Sequence, residues 1–98
     1  MIFIYSINFF ELNGYIQKGA MLLDIRPYHE YITYHIPNSF SIHTLTTLPK
    51  HQPIIFICEF GHKAKAYAHH YRSFHYDCYY LEGGISRYLD MIKQQPYY

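Results

Sequence analysis

Short apolar runs alternate along this chain with segments whose apolar residues recur every three or four positions. Ile2-Phe3-Ile4-Tyr5 predicts a first strand. Asn8 then sits as a helix N-cap, with Glu11 placed three residues on as in a capping box and Ile7 and Leu12 placed for a hydrophobic staple. That helix turns Leu12, Tyr15 and Ile16 inward and stops at Gly19, a good left-handed position. Ala20-Met21-Leu22-Leu23-Asp24-Ile25 is a near-continuous apolar strand, as expected when both faces are covered, and Pro27 breaks it. A short helix follows through Glu30-Tyr31-Ile32. Beyond the turn at Pro37-Asn38, Phe40-Ser41-Ile42 is a weak third strand, and residues 44–48 are read as another short helix. Pro53-Ile54-Ile55-Phe56-Ile57 forms a fourth strand, rich in β-branched residues. A loop over 58–63 leads into a helix to about residue 74, with Ala64, Tyr67, Ala68, Tyr71 and Phe74 on one face. Cys78-Tyr79-Tyr80-Leu81 is a fifth strand. Gly83-Gly84 turns the chain into a last helix with Ile85, Tyr88, Leu89 and Ile92 on one face, ended by Pro96.

Strands alternating with helices imply an α/β fold: a mostly parallel sheet with helices on both faces. In such sheets ligands bind outside the C-terminal ends of the strands. Asp24, Cys58 and the Glu82-Gly83-Gly84 turn all fall just past such ends, so the pattern collects them on one rim.

Composition sharpens this. The 98 residues suit one small domain, 1–98, and half of them are apolar, with 13 tyrosines, which argues against disorder. A chain of this size buries roughly 60–65% of its unfolded surface. Eight Lys and Arg nearly balance seven Asp and Glu, and no basic block points to nucleic acid. No apolar run is long enough to span a bilayer, and residues 1–8 lack the basic region and cleavage site of a secretory signal. Two cysteines, Cys58 and Cys78, make no disulfide framework. The expectation is a cytoplasmic protein with reduced thiols, without nucleic-acid or membrane partners.

The chemistry concentrates at Cys58-Glu59-Phe60-Gly61-His62-Lys63-Ala64-Lys65. A cysteine here closes a buried strand and precedes a helix. Loop and first-turn N–H groups point at a sulfur so placed, and the helix dipole favours its anion. The same N–H groups hold an anionic substrate, so Cys58 reads as a nucleophile. The alternative is a buried structural thiol. Cys78, inside a strand, reads as a packed core thiol rather than a resolving cysteine. The eight histidines suggest metal, but His69-His70 face different ways on a helix, and neither Cys-x-x-Cys nor His-x3-His occurs; no metal site is expected.

Four segments in order resemble the single-domain rhodaneses, sulfurtransferases that carry sulfur as a cysteine persulfide. Leu22-Leu23-Asp24-Ile25-Arg26-Pro27 with Glu30-Tyr31 is similar to the family's Asp-x-Arg segment with its downstream Glu-Tyr/Phe. His35-Ile36-Pro37-Asn38-Ser39 resembles His-Ile-Pro-Gly-Ala. Cys58 to Ala64 resembles the active-site loop Cys-x-x-Gly-x-Arg-Ser/Ala. Leu81-Glu82-Gly83-Gly84-Ile85 with Tyr88 resembles Leu-x-Gly-Gly-Ile/Val-x-x-Trp. There are departures: Lys63 replaces Arg and lacks its planar fork, Tyr34 and Asn38 flank His35-Ile36-Pro37 where Gly is usual, and His75 stands where a helix-ending Gly is common.

The resemblance implies a rhodanese-like three-layer fold with a five-stranded sheet. It implies catalysis by Cys58, a substrate loop of Glu59, Phe60, Gly61, His62, Lys63 and Ala64, and structural support from Asp24, Arg26, His35, Gly83 and Gly84. It implies no cofactor. The partners it implies are a small sulfur donor (thiosulfate or a thiol persulfide), a thiol or cyanide acceptor, and a possible protein persulfide. Phosphate-binding cysteine loops instead use Cys-x5-Arg, whereas the residue six past Cys58 is Ala64. Asp24 and Arg26 read as a structural ion pair, and His35 as a scaffold residue. Glu59 is expected to point to solvent, because a carboxylate in the pocket repels a dianion such as thiosulfate. A non-catalytic binding or regulatory module and a thiol redox sensor are the other readings.

Overall fold

A computed structural model describes residues 5–94. The elements run β1 (Ser6–Ile7), α1 (Phe9–Gln17), β2 (Met21–Asp24), α2 (Tyr28–Thr33), β3 (Phe40–Ser41), a 3-10 turn (Ile42–Thr44), β4 (Ile54–Ile57), α3 (His62–Arg72), β5 (Cys78–Leu81) and α4 (Gly84–Lys93). The five strands form one sheet in the order β1-β5-β4-β2-β3, with every pairing parallel. β4 lies at the centre with all four residues buried, which is why its sequence is uninterruptedly apolar.

Alternation along the strands builds a core on each face. Leu22, Ile55, Ile57 and Leu81 join Leu12 of α1 and Ile85 of α4 on one side. Leu23, Ile54, Phe56 and Cys78 join Ala64 and Ala68 of α3 on the other. The two alanines are fully buried, so α3 approaches the sheet closely. The result is the α/β three-layer arrangement expected from the alternation.

Local signals act as read. Asn8 Oδ1 accepts from Glu11 N–H at 3.0 Å, and Glu11 Oε1 accepts from Asn8 N–H at 3.0 Å, a complete capping box. Ile7 and Leu12 share one core cluster. α1 closes with Gly19 at φ +94, Gly19 N–H donating to Ile16 and Ala20 N–H to Tyr15, a Schellman ending.

Some expectations are corrected. Among the described residues the first strand lies at Ser6–Ile7 and leaves Tyr5 outside it; Ile2, Phe3 and Ile4 of the predicted first strand lie outside the described residues, as does Pro96. Residues 44–48 form no helix. Ser41 Oγ caps a single 3-10 turn over Ile42–Thr44 by accepting from His43 N–H at 3.1 Å, and the β-branched pair Thr46-Thr47 before Pro49 does not extend it. α3 starts at His62, so the loop after β4 is shorter than expected, and it ends at Arg72, which leaves Phe74 beyond the helix and 54% exposed.

Candidate active site

β2, β4 and β5 all end on one rim, and the chain leaves each of them into a segment of the site. Cys58 follows β4 directly. Its side chain is only 4% exposed, so a slender group alone reaches the sulfur. Cys58 Sγ accepts from Gly61 N–H at 3.1 Å and from Ala64 N–H at 3.2 Å. The N–H groups of Phe60, His62 and Lys63 find no protein acceptor among the described residues. They are unpaired donors of the loop and of the first turn of α3.

The loop is held from behind by α4. Ile85 N–H donates to Cys58 O at 2.9 Å and Ser86 N–H donates to Glu59 O at 3.0 Å, so two orphan donors of the α4 N-terminus are satisfied by loop carbonyls. This contact demands glycine at position 84. A Cβ there would meet Cys58 O and stand 2.6 Å from Glu59 O.

Beneath the rim, Asp24 is fully buried and Arg26 is 7% exposed. Arg26 Nε donates to Asp24 Oδ1 at 3.0 Å, and Nη2 donates to Asp24 Oδ2 at 2.8 Å and to Tyr34 O at 2.6 Å. The remaining Nη1 lies 3.6 Å from Glu59 Oε2. Burial works against the guanidinium charge, but the Asp24 hydrogen bonds and the charges of Asp24, Glu59 and Glu30 outweigh it, so Arg26 is held more firmly charged than usual. Glu59 stays 45% exposed, in line with the expectation that it points to solvent, while its carboxylate also stands beside the guanidinium.

A cavity of about 430 Å³ opens at Cys58, lined by Ile25, Arg26, Pro27, Glu30, Glu59, Phe60, His62 and Lys63. An apolar side of Ile25, Pro27 and Phe60 thus joins a mixed group of charges in the lining.

The rhodanese-like domain model matches residues 11–91, most of the chain. The chain belongs to the rhodanese-like domain family. A rhodanese-related protein of Thermoplasma volcanium superposes with a TM-score of 0.78 at 26% identity, covering 93% of this chain and 94% of that one. A rhodanese homolog of the extremely thermophilic bacterium Thermus thermophilus gives 0.69 at 21%, covering 84% and 98%. A protein of unknown function from Rhodopseudomonas palustris, described as a possible tyrosine phosphatase, gives 0.73 at 19%, covering 90% and 81%. The latter two show the fold alone. No curated protein sequence matches the chain.

In this rhodanese-like domain the residues singled out from sequence divide into three places. Glu59, Phe60, His62 and Lys63 line the cavity with Cys58, while Gly61 and Ala64 contribute N–H groups to its sulfur. Asp24, Arg26, Gly83 and Gly84 brace the loop from below and behind. His35 stands apart: its ring stacks on Tyr31 with centroids 4.0 Å apart, and Nδ1 meets Tyr31 O at 2.9 Å. Cys78 is fully buried in β5, its S–H donating to Ala68 O at 3.3 Å, with burial pushing the thiol up. Sequence reasoning missed Pro27 and Glu30 as cavity walls and the exposure of Arg26 to the cavity. The signal was present, since Arg26-Pro27 follows the end of β2 on the same rim.

Among the described residues no group of three His, Cys, Asp or Glu side chains is placed to hold a metal ion, and no helix is long and apolar enough to cross a membrane.

Proposed function

We propose that this rhodanese-like domain is a sulfurtransferase that carries a sulfane sulfur on Cys58. The observation that carries the reading is the pair of N–H donors on Cys58 Sγ at the point where the cavity opens. In the first half-reaction the Cys58 thiolate attacks the outer sulfur of the donor. The donor's S–S bond breaks, and sulfite or a thiolate leaves with the electron pair. In the second, a thiol or cyanide attacks the terminal sulfur of the Cys58 persulfide and restores the thiolate. This is double-displacement covalent catalysis and needs no group beyond the cysteine. The uncommitted N–H groups of Phe60, His62 and Lys63 supply further donors of the loop for the terminal sulfur in this reading.

A phosphate ester fits this loop less well. Phosphate cradles of this kind place an arginine six residues past the cysteine, whereas Ala64 occupies that position and donates its N–H to the sulfur itself. Steady-state transfer from a sulfane donor to cyanide tests the proposal. Cys58→Ser is expected to abolish turnover with the fold intact, because serine keeps the volume and lacks a stable anion at neutral pH. Turnover that survives in the Cys58→Ser variant places the nucleophile elsewhere.

A further inference from the structure

The charges around Cys58 carry information about which donor the site takes, given that it transfers sulfur as proposed above. Among the described residues Arg26 is the only guanidinium lining the cavity, and it is already engaged. Asp24 holds Nε and Nη2, Tyr34 O accepts from Nη2 as well, and the Glu59 carboxylate stands 3.6 Å from Nη1. Its charge is matched by Asp24, and the Glu59 carboxylate, 45% exposed, stands beside Nη1 where both residues line the cavity. Two carboxylates, Glu30 and Glu59, then confront one uncommitted lysine, Lys63. A dianion entering this mouth meets a cation that is occupied and carboxylates that repel it. Beside the charges lies the apolar wall of Ile25, Pro27 and Phe60, with the Phe60 ring 62% exposed. Such a wall offers thiosulfate nothing, but it suits the carbon chain of an organic donor.

We infer that Glu59 is a specificity-determining residue: by setting its carboxylate beside the Arg26 guanidinium at the cavity it excludes dianionic sulfur donors and selects the persulfide of a thiol whose organic part is neutral or cationic. The organic part rests on Ile25, Pro27 and Phe60. In the step itself, the Cys58 thiolate attacks the outer sulfur of R–S–SH, the donor's S–S bond breaks, R–S⁻ leaves with the electron pair, and the Cys58 persulfide remains.

The test compares two donors, thiosulfate and the persulfide of N-acetylcysteamine, by the concentration of each that half-loads Cys58 in intact-mass measurements. The native protein should load from the organic persulfide at lower concentration. Glu59→Gln removes the charge and keeps the shape. It should lower the half-loading concentration of thiosulfate by about tenfold at low ionic strength, an effect that fades as salt is added, and leave the organic persulfide nearly unmoved. Glu30→Gln should act in the same direction. A residue that merely braced the loop would shift both donors alike and without salt dependence. If thiosulfate half-loads the native protein at the same or lower concentration, or Glu59→Gln leaves thiosulfate loading unchanged at low salt, the selectivity inference falls while the sulfurtransferase reading stands. If neither donor loads Cys58, the sulfurtransferase reading falls and takes this inference with it.

Discussion

The two cysteines of this chain show how position decides chemistry. Cys58 and Cys78 are both buried and belong to the same core cluster. Cys58 receives two backbone N–H groups and opens on a cavity, whereas Cys78 donates its own S–H to Ala68 O inside the sheet–helix interface. Burial, with a smaller contribution from Asp77 set against Arg72, pushes the Cys78 thiol up and keeps it protonated. Cys78→Ser should therefore keep sulfur loading. The hydroxyl replaces S–H as donor to Ala68 O, and the fold should lose about 1–2 kcal/mol in chemical denaturation for the apolar burial given up. A loss of loading equal to that of Cys58→Ser, with the fold intact, would place Cys78 in the reaction. Both placements are legible in the sequence, because a strand end before a glycine loop differs from a strand interior. The Glu59–Arg26 contact is not legible. A side chain's direction depends on which neighbouring strand delivers a partner, and β2 lies far upstream of the loop in sequence.

At the scale of elements, the junction between the Cys58 loop and α4 is the tightest point of the site. Gly84→Ala drives a Cβ toward Cys58 O and Glu59 O at a backbone φ of +60. It should cost about 3 kcal/mol or more in denaturant unfolding and abolish sulfur loading, since the loop must shift to admit it. Near-normal stability together with normal loading would show that the loop does not depend on this approach. The helix endings offer a contrast. α1 closes on Gly19, whereas after α3 the same Schellman pattern falls on His75 at φ +67, with His75 N–H donating to Arg72 O and Tyr76 N–H to Tyr71 O. A left-handed conformation at a histidine costs about 1 kcal/mol or somewhat more. His75→Gly should recover about that amount, read as a higher Tm; an unchanged or lower Tm would mean that the backbone strain is offset by contacts of the imidazole. The helices were legible where caps and glycines mark them, as at Asn8, Gly19 and Gly83. The segment 42–48 was not. Its Thr-rich composition and Ser41 cap give a single turn whose length no periodicity encodes.

For the molecule as a whole, the alternation of strand and helix was sufficient to specify the parallel sheet and the rim on which β2, β4 and β5 end. The neighbour order β1-β5-β4-β2-β3 was not legible in the pattern, because parallel pairing partners are distant in sequence. Burial also gives the whole fold a pH dependence. Desolvation raises Cys78 and the phenols of Tyr34, Tyr79 and Tyr88 above their ordinary values. Groups raised in this way contribute stability that is full below their unfolded values and is lost as pH rises through the folded ones. Tm should therefore fall above about pH 8.5, where an unfolded thiol ionises, and more steeply above about pH 10, where tyrosine follows. Cys78→Ala should flatten the first part of that fall; an identical slope in the variant would remove the buried thiol from the account. The central claim, that the rim of this rhodanese-like domain holds sulfur on one cysteine, is tested most directly by intact mass with peptide mapping. The protein is exposed to a persulfide donor and then to cyanide. The account predicts a gain of one sulfur atom confined to Cys58, absent in Cys58→Ser, and removed by cyanide as thiocyanate. A protein whose Cys58 gains no sulfur, or gains it without releasing it to any acceptor, would contradict it.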